Sequence, residues 1–157
     1  MTQEDFARRV VAMQDTLYRV STTILPQLCD REDAVQSAVE KALRKREHLR
    51  SPDAVRPWLT RILVNECYAI LRRRKRETLM DDVPQRQVEM DARPDIYQLF
   101  ISLEEKYRLP MVLHYVEGYS VAEISATLHL PQGTVKSRLH RGRLLLRDAL
   151  TLEEVRV

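Results

Sequence analysis

The chain has 157 residues, 44% of them hydrophobic but only 6% aromatic, with three glycines. That profile favours one or two small helical domains over sheets, which draw on aromatic and β-branched side chains. Its 26 Lys and Arg against 23 Asp and Glu leave a net charge of +3, too little to name a partner, so the placement of charge matters more than its sum.

No apolar run approaches the about 20 residues needed to cross a bilayer, and the MTQEDF start is too acidic for a secretory signal. Cys29 and Cys67 have neither disulfide-framework nor metal-ligand spacing, and the four histidines are scattered. The expectation is a cytoplasmic, all-α protein with free thiols, no metal, no cofactor and no membrane segment of its own.

The first predicted helix carries Phe6, Val10, Met13, Leu17, Val20 and Ile24 at alternating steps of four and three, one apolar stripe that Pro26 ends. A second helix is predicted from Asp30 as N-cap, with Glu32 and Asp33 in its first turn. Its apolar face pairs Ala34 with Val35, Ala38 with Val39 and Ala42 with Leu43. A third lies between roughly 53 and 75, with Ser51 as cap and Pro52 at its first position. Pro57 either kinks it or moves its start to about Arg56. Leu59, Ile62, Leu63, Cys67, Ile70 and Leu71 share its inner face.

Opposite that face stand Arg61, Asn65, Tyr68 and Arg72. A cation, an amide, an aromatic ring and a second cation in one stripe suit a single nucleic-acid strand, whose bases stack on the ring while the cations follow the backbone. The same residues equally fit an ordinary solvated face. Trp58 reads as core or as a stacking platform, with core favoured. RRRKR, residues 72–76, is placed to meet phosphates.

Residues 77–94 have no helical period, hold two prolines and carry more acid than base. They are read as an acidic tether between a domain at 1–76 and another at 95–157. In the second domain Leu99, Phe100 and Leu103 mark a short helix. Another spans Tyr107 to Val116, with Pro110 near its start and Gly118 as stop signal. SVAE, residues 120–123, is a capping box, and Val121, Ile124 and Leu128 of its helix face inward. A short turn at His129-Leu130 leads to Pro131, which opens the last helix, and the pair forms a helix-turn-helix.

On that last helix, at about 100° per residue, Val135, Leu139, Gly142, Leu146 and Ala149 fall on one side. Ser137, His140, Arg141 and Leu144 centre the other. Lys136, Arg143 and Arg147 flank them on one edge, Thr134 and Arg138 on the opposite edge. A major groove about 12 Å wide presents base edges between two phosphate walls. Ser137, His140 and Arg141 are therefore the expected base contacts, Arg141 as a bidentate reader of guanine. Thr134, Lys136, Arg138, Arg143 and Arg147 are the expected phosphate contacts.

Over nearly its whole length the chain resembles the small two-domain sigma factors of bacterial RNA polymerase, the extracytoplasmic-function group. The likeness rests on DREDAVQ (30–36), WLTRILVN (58–65) with LRRRKR (71–76), GYSVAEI (118–124) and PQGTVKSRLHR (131–141), in that order. It implies that Asp30, Asp33 and Gln36 grip the polymerase clamp. It implies that the loop at about 47–53 and the stripe of Trp58, Arg61, Asn65, Tyr68 and Arg72 capture the opened −10 element. The C-terminal domain would dock on the polymerase flap and read the −35 element, and the tether would thread toward the active site. It further implies a chain that is monomeric when free, is no enzyme, and is held by an anti-sigma factor.

Five positions depart from the family pattern. Val39 and Leu43 stand where aromatics are usual, Ala69 where an Asp is frequent, His129 where Gly is frequent in the turn, and Ser125 where a small Ala is usual. Two other readings remain open from the sequence: a stand-alone helix-turn-helix regulator, and a sigma-like decoy that binds an anti-sigma factor without reading DNA.

Overall fold

The computed structural model describes residues 1–80 and 95–155. Among them every regular element is helical. The chain divides into two compact units, Met1–Glu89 and Met90–Val157.

In the first unit the single expected helix is two. α1 (Gln3–Ala12) and α2 (Gln14–Ile24) meet at Met13, whose ψ of −3° turns the axis while its N–H is shared between the Arg9 and Val10 carbonyls. The apolar stripe survives the turn: Phe6, Val10, Leu17 and Val20 are all buried. α3 (Leu28–Lys45) begins two residues before Asp30, with Gln27 at its cap position and no side-chain cap. Its inner row is Ala34, Ala38 and Ala42, each fully buried. Methyl-sized side chains at i, i+4 and i+8 let the helix lie close against α2 and α4.

After short 3₁₀ turns at Arg46–His48 and Pro52–Ala54, α4 runs from Val55 to Met80. Ser51 and Pro52 start the second of these turns as expected for a helix start, and Pro57 lies in the first turn of α4, where its missing N–H costs nothing. α4 is rotated slightly from its predicted setting. Leu59, Thr60, Leu63, Val64, Cys67 and Ile70 are buried, while Ile62 and Leu71 are half-buried. The Thr60 hydroxyl is satisfied by donating to the Arg56 carbonyl at 2.8 Å. α4 also extends past residue 76, so residues 77–80 of the expected tether are helical, and the rest of it, 81–94, lies outside the described residues.

The second unit packs α5 (Asp95–Ser102), α6 (Glu105–Met111), α7 (Val121–Leu128) and α8 (Gln132–Val155). α6 starts earlier than predicted, which puts Pro110 inside the helix, where it is buried. A π-helical turn over Val112–Val116 follows it. Gly118, at φ 73°, ends this run in the left-handed region that suits glycine.

Ser120 and Glu123 form the expected reciprocal cap on α7, each bond 3.1 Å long. Ile124 is buried as expected, but Thr127 is buried beside it, while Val121 and Leu128 are only half-buried. The Thr127 hydroxyl donates to the Glu123 carbonyl at 2.8 Å. The core of this unit is Phe100, Leu103, Leu109, Met111, Leu113, Tyr119, Ile124, Val135 and Leu139. At about 1.5–3 kcal/mol for each large apolar side chain removed from water, these residues are what holds the four helices together.

Candidate nucleic-acid interface

The turn between α7 and α8 fixes how α8 is presented. His129 sits at φ 57°, ψ 45°, the left-handed position at which the sequence replaces a frequent glycine. The Ser125 hydroxyl donates to the Leu130 carbonyl, and the Leu130 N–H returns to the Ser125 carbonyl at 3.2 Å. The serine that departs from the usual alanine therefore ties the turn from inside.

α8 then lies with Val135 and Leu139 fully or nearly fully buried and Gly142 against α6. A Cβ added at Gly142 would come within 2.7 Å of the Met111 Cγ and Sδ, so only glycine lets these helices approach so closely.

On the outward side Ser137, His140 and Arg141 are exposed, as are Lys136, Arg143 and Arg147, while Thr134, Arg138 and Leu144 are half-buried. Polar groups stand at the centre and cations at the edges. Arg143 is more constrained than its neighbours: its Nη1 donates to the Tyr115 hydroxyl at 3.1 Å. Tyr115 in turn stacks on Phe100, with ring centroids 6.4 Å apart, and meets His114 edge-on. Periodicity gave no sign of Tyr115, because the π-helical turn shifts the helical phase just where it lies.

On α4, Asn65 and Arg72 are exposed, and Trp58, Arg61 and Tyr68 are half-buried. Trp58 meets buried Phe6 edge-on, centroids 6.1 Å apart, which anchors part of the ring while the rest stays accessible. α1 also reaches the segment before α4, where Arg9 Nη1 donates to the Pro52 carbonyl at 3.3 Å. In RRRKR four cations are exposed, namely Arg72, Arg73, Lys75 and Arg76.

Arg74 is the exception to the expected phosphate-facing cluster. It turns inward and grips Asp30 through Nε and Nη2, at 2.7 and 2.8 Å. The paired carboxylate holds the guanidinium pKa above its ordinary value.

The same pair corrects the reading of Asp30. It is not the cap of α3: its side chain is 7% exposed, and both oxygens are engaged by Arg74. Arg31 beside it is also buried, donating to the Leu25 and Pro26 carbonyls at 2.9 and 2.7 Å. Asp33 and Gln36 do face outward. Together with Glu40 they line a groove whose far wall is Glu66, Ala69 and Arg73 of α4. Lys41 pairs with Glu66 across these two helices.

Two helical units, one a helix-turn-helix with a cationic outer face and one with a polar, cationic stripe, define a two-module DNA-binding protein. Residues 10–77 match the family model described as sigma-70 region 2, and residues 93–146 match sigma-70 region 4. The chain is 28% identical over 143 residues to RNA polymerase sigma factor SigV of Bacillus subtilis, covering 88% of this chain and 86% of that one. It is 36% identical over 149 residues to ECF RNA polymerase sigma factor SigE of Mycolicibacterium smegmatis, covering 87% of this chain and 58% of that longer protein. The sigma factor RpoE of Bartonella quintana, solved in complex with the anti-sigma factor NepR, superposes with a TM-score of 0.84 at 26% identity over 94% of this chain and 98% of that one.

The chain belongs to the sigma-70 family, in its extracytoplasmic-function group. It is a sigma factor, directing promoter-specific initiation by RNA polymerase. No helix among the described residues is long and apolar enough to cross a membrane.

Proposed function

We propose that the two outward faces divide promoter recognition between them, in the cytoplasm and without any catalytic step of the protein's own. α8 enters the major groove of the −35 element with Ser137, His140 and Arg141 on base edges. Thr134, Lys136, Arg138, Arg143 and Arg147 take the phosphates on either side. The α4 stripe of Trp58, Arg61, Asn65, Tyr68 and Arg72 holds unstacked bases of the −10 element. Flipping costs a few kcal/mol per base, which binding energy repays. Asp33 and Gln36, at the mouth of the α3–α4 groove, dock on the polymerase clamp, and the second unit docks on the flap.

The observation that carries this reading is the exposure of Ser137, His140 and Arg141 on a helix whose other side is buried at Val135 and Leu139. A stand-alone regulator would leave the groove and the α4 stripe without a task. A decoy would have no use for cations around α8.

An anti-sigma factor is the proposed regulator, since the superposing RpoE was solved with one bound. Run-off transcription with core polymerase on a library of genomic fragments tests the whole reading. The expected result is a small set of start sites sharing two spaced elements, absent when core polymerase or the protein is omitted. Tight, specific binding of promoter duplex by the free protein as a dimer would favour the stand-alone regulator instead.

A further inference from the structure

We propose that Asp30 supports polymerase binding without touching polymerase. It and Arg74 are a pair of positioning residues that set the groove between α3 and α4. This inference rests on the reading of Asp33 and Gln36 as the docking contacts.

The Asp30 side chain is 7% exposed and that of Arg74 is 42% exposed. Nε and Nη2 of Arg74 meet the two carboxylate oxygens separately, at 2.7 and 2.8 Å, a two-pronged geometry that fixes direction as well as distance. A partner seeking Asp30 from outside would find both oxygens already engaged. The pair joins the first turn of α3 to α4 at a point 44 residues further along the chain. One residue before Arg74, Arg73 lines the groove opposite Asp33 and Gln36.

The same first turn is held from the other side by Arg31, which donates to the Leu25 and Pro26 carbonyls. Adjacent residues of one motif therefore brace the start of α3 in two directions. Asp33 and Gln36, exposed about one and two turns further along, project from a helix whose start is held on both sides. Arg and Lys are not equivalent in such a role, since an ammonium is a point charge and cannot fork.

The test uses the full chain and core polymerase, with affinity measured by competition against labelled wild-type protein. Asp30→Asn and Arg74→Met are each expected to weaken core binding by about tenfold, or 1.4 kcal/mol. The double variant is expected to be no weaker than either single one, because the two residues act as one unit. Arg74→Lys should recover only part of the loss. Arg8→Ala, at an exposed cation of α1 outside the groove, should leave core binding unchanged. Helical content and melting temperature, measured on the same samples, identify any variant that fails to fold, and for those the charge-conserving Asp30→Glu and Arg74→Lys variants serve instead.

Loss with Asp30→Asn but not with the Arg74 variants would mean that Asp30 contacts polymerase directly and would overturn the proposal. Equal affinity in all variants, with only melting temperature lowered, would overturn it as well. Asp33→Ala and Gln36→Ala run alongside. If these leave core binding intact, the docking assignment itself fails, a result distinct from failure of the pair.

Discussion

At the scale of single residues, what a side chain does depends on which neighbours have already engaged it. Asp30 and Asp33 are three positions apart in one motif, yet one is bound within its own unit and the other is open to solvent. The two cysteines differ in the same way. Cys29 is exposed, whereas Cys67 is fully buried against the α3–α4 core and its thiol is pushed up to about 12 by burial. A folded sample at pH 8 should therefore take up one equivalent of a thiol alkylating agent and a denatured sample two, counted by mass spectrometry. The sign of the pH effect follows. The unfolded thiol ionises near its ordinary value of 9.0, the folded one not until about 12. The first unit should lose stability as pH rises above about 9 and show no such loss below it, and a Cys67→Ala variant should lack that alkaline slope.

Among the elements, the two helix pairs are packed by opposite means. α3 comes close to its neighbours through a row of alanines; α8 comes close to α6 by having no side chain at Gly142. Gly142→Ala should gain about 1 kcal/mol in helix propensity but cost about 1–3 kcal/mol in overpacking against the fully buried Met111, a net loss. Chemical denaturation of the variant and of Gly142→Ala combined with Met111→Ala measures this. The double variant should be more stable than the sum of its single changes predicts, because the new methyl fills the space that Met111 vacates.

Much of this level was legible in the chain itself. The capping box at Ser120 and Glu123, the left-handed residue at His129 and the buried side of α8 follow from local spacing and turn chemistry; the structure agrees on the first two and, on α8, on Val135, Leu139 and Gly142, while Leu146 and Ala149 are half-buried. The break at Met13 was not legible, because both halves keep one apolar stripe and nothing in residue type marks the bend. Arg74 was half legible. It continues the inward row of Leu63, Cys67 and Ile70, but a cation at the end of a basic run reads as solvated until a buried carboxylate is seen opposite it. Asp30 was misread because a short acidic side chain near a helix start is usually a cap, and α3 begins without one. Tyr115 fell in the π-helical turn, where a period of 3.6 no longer applies.

For the whole molecule, function rests on two surfaces of unlike chemistry, and substitutions in one helix should separate affinity from specificity. Arg141→Ala is expected to relax base preference at one −35 position, at about 1–3 kcal/mol, while leaving core polymerase binding unchanged. Lys136→Ala should weaken binding nearly uniformly across sequences and reduce the salt dependence by about one ion. Holoenzyme binding to a panel of −35 variants, repeated over a salt series, distinguishes the two outcomes; identical profiles would mean that α8 does not lie in the groove as described.

α4 adds a condition on how the units can be joined. Its last residue, Met80, lies eight positions beyond Arg72, a rod of about 12 Å in which each residue turns the chain by about 100°. Removing one residue there does more than shorten the connection: it swings the exit point more than a quarter of a circle around the axis. A length change within this part of α4 therefore alters the bearing at which the chain leaves the helix, as well as the distance.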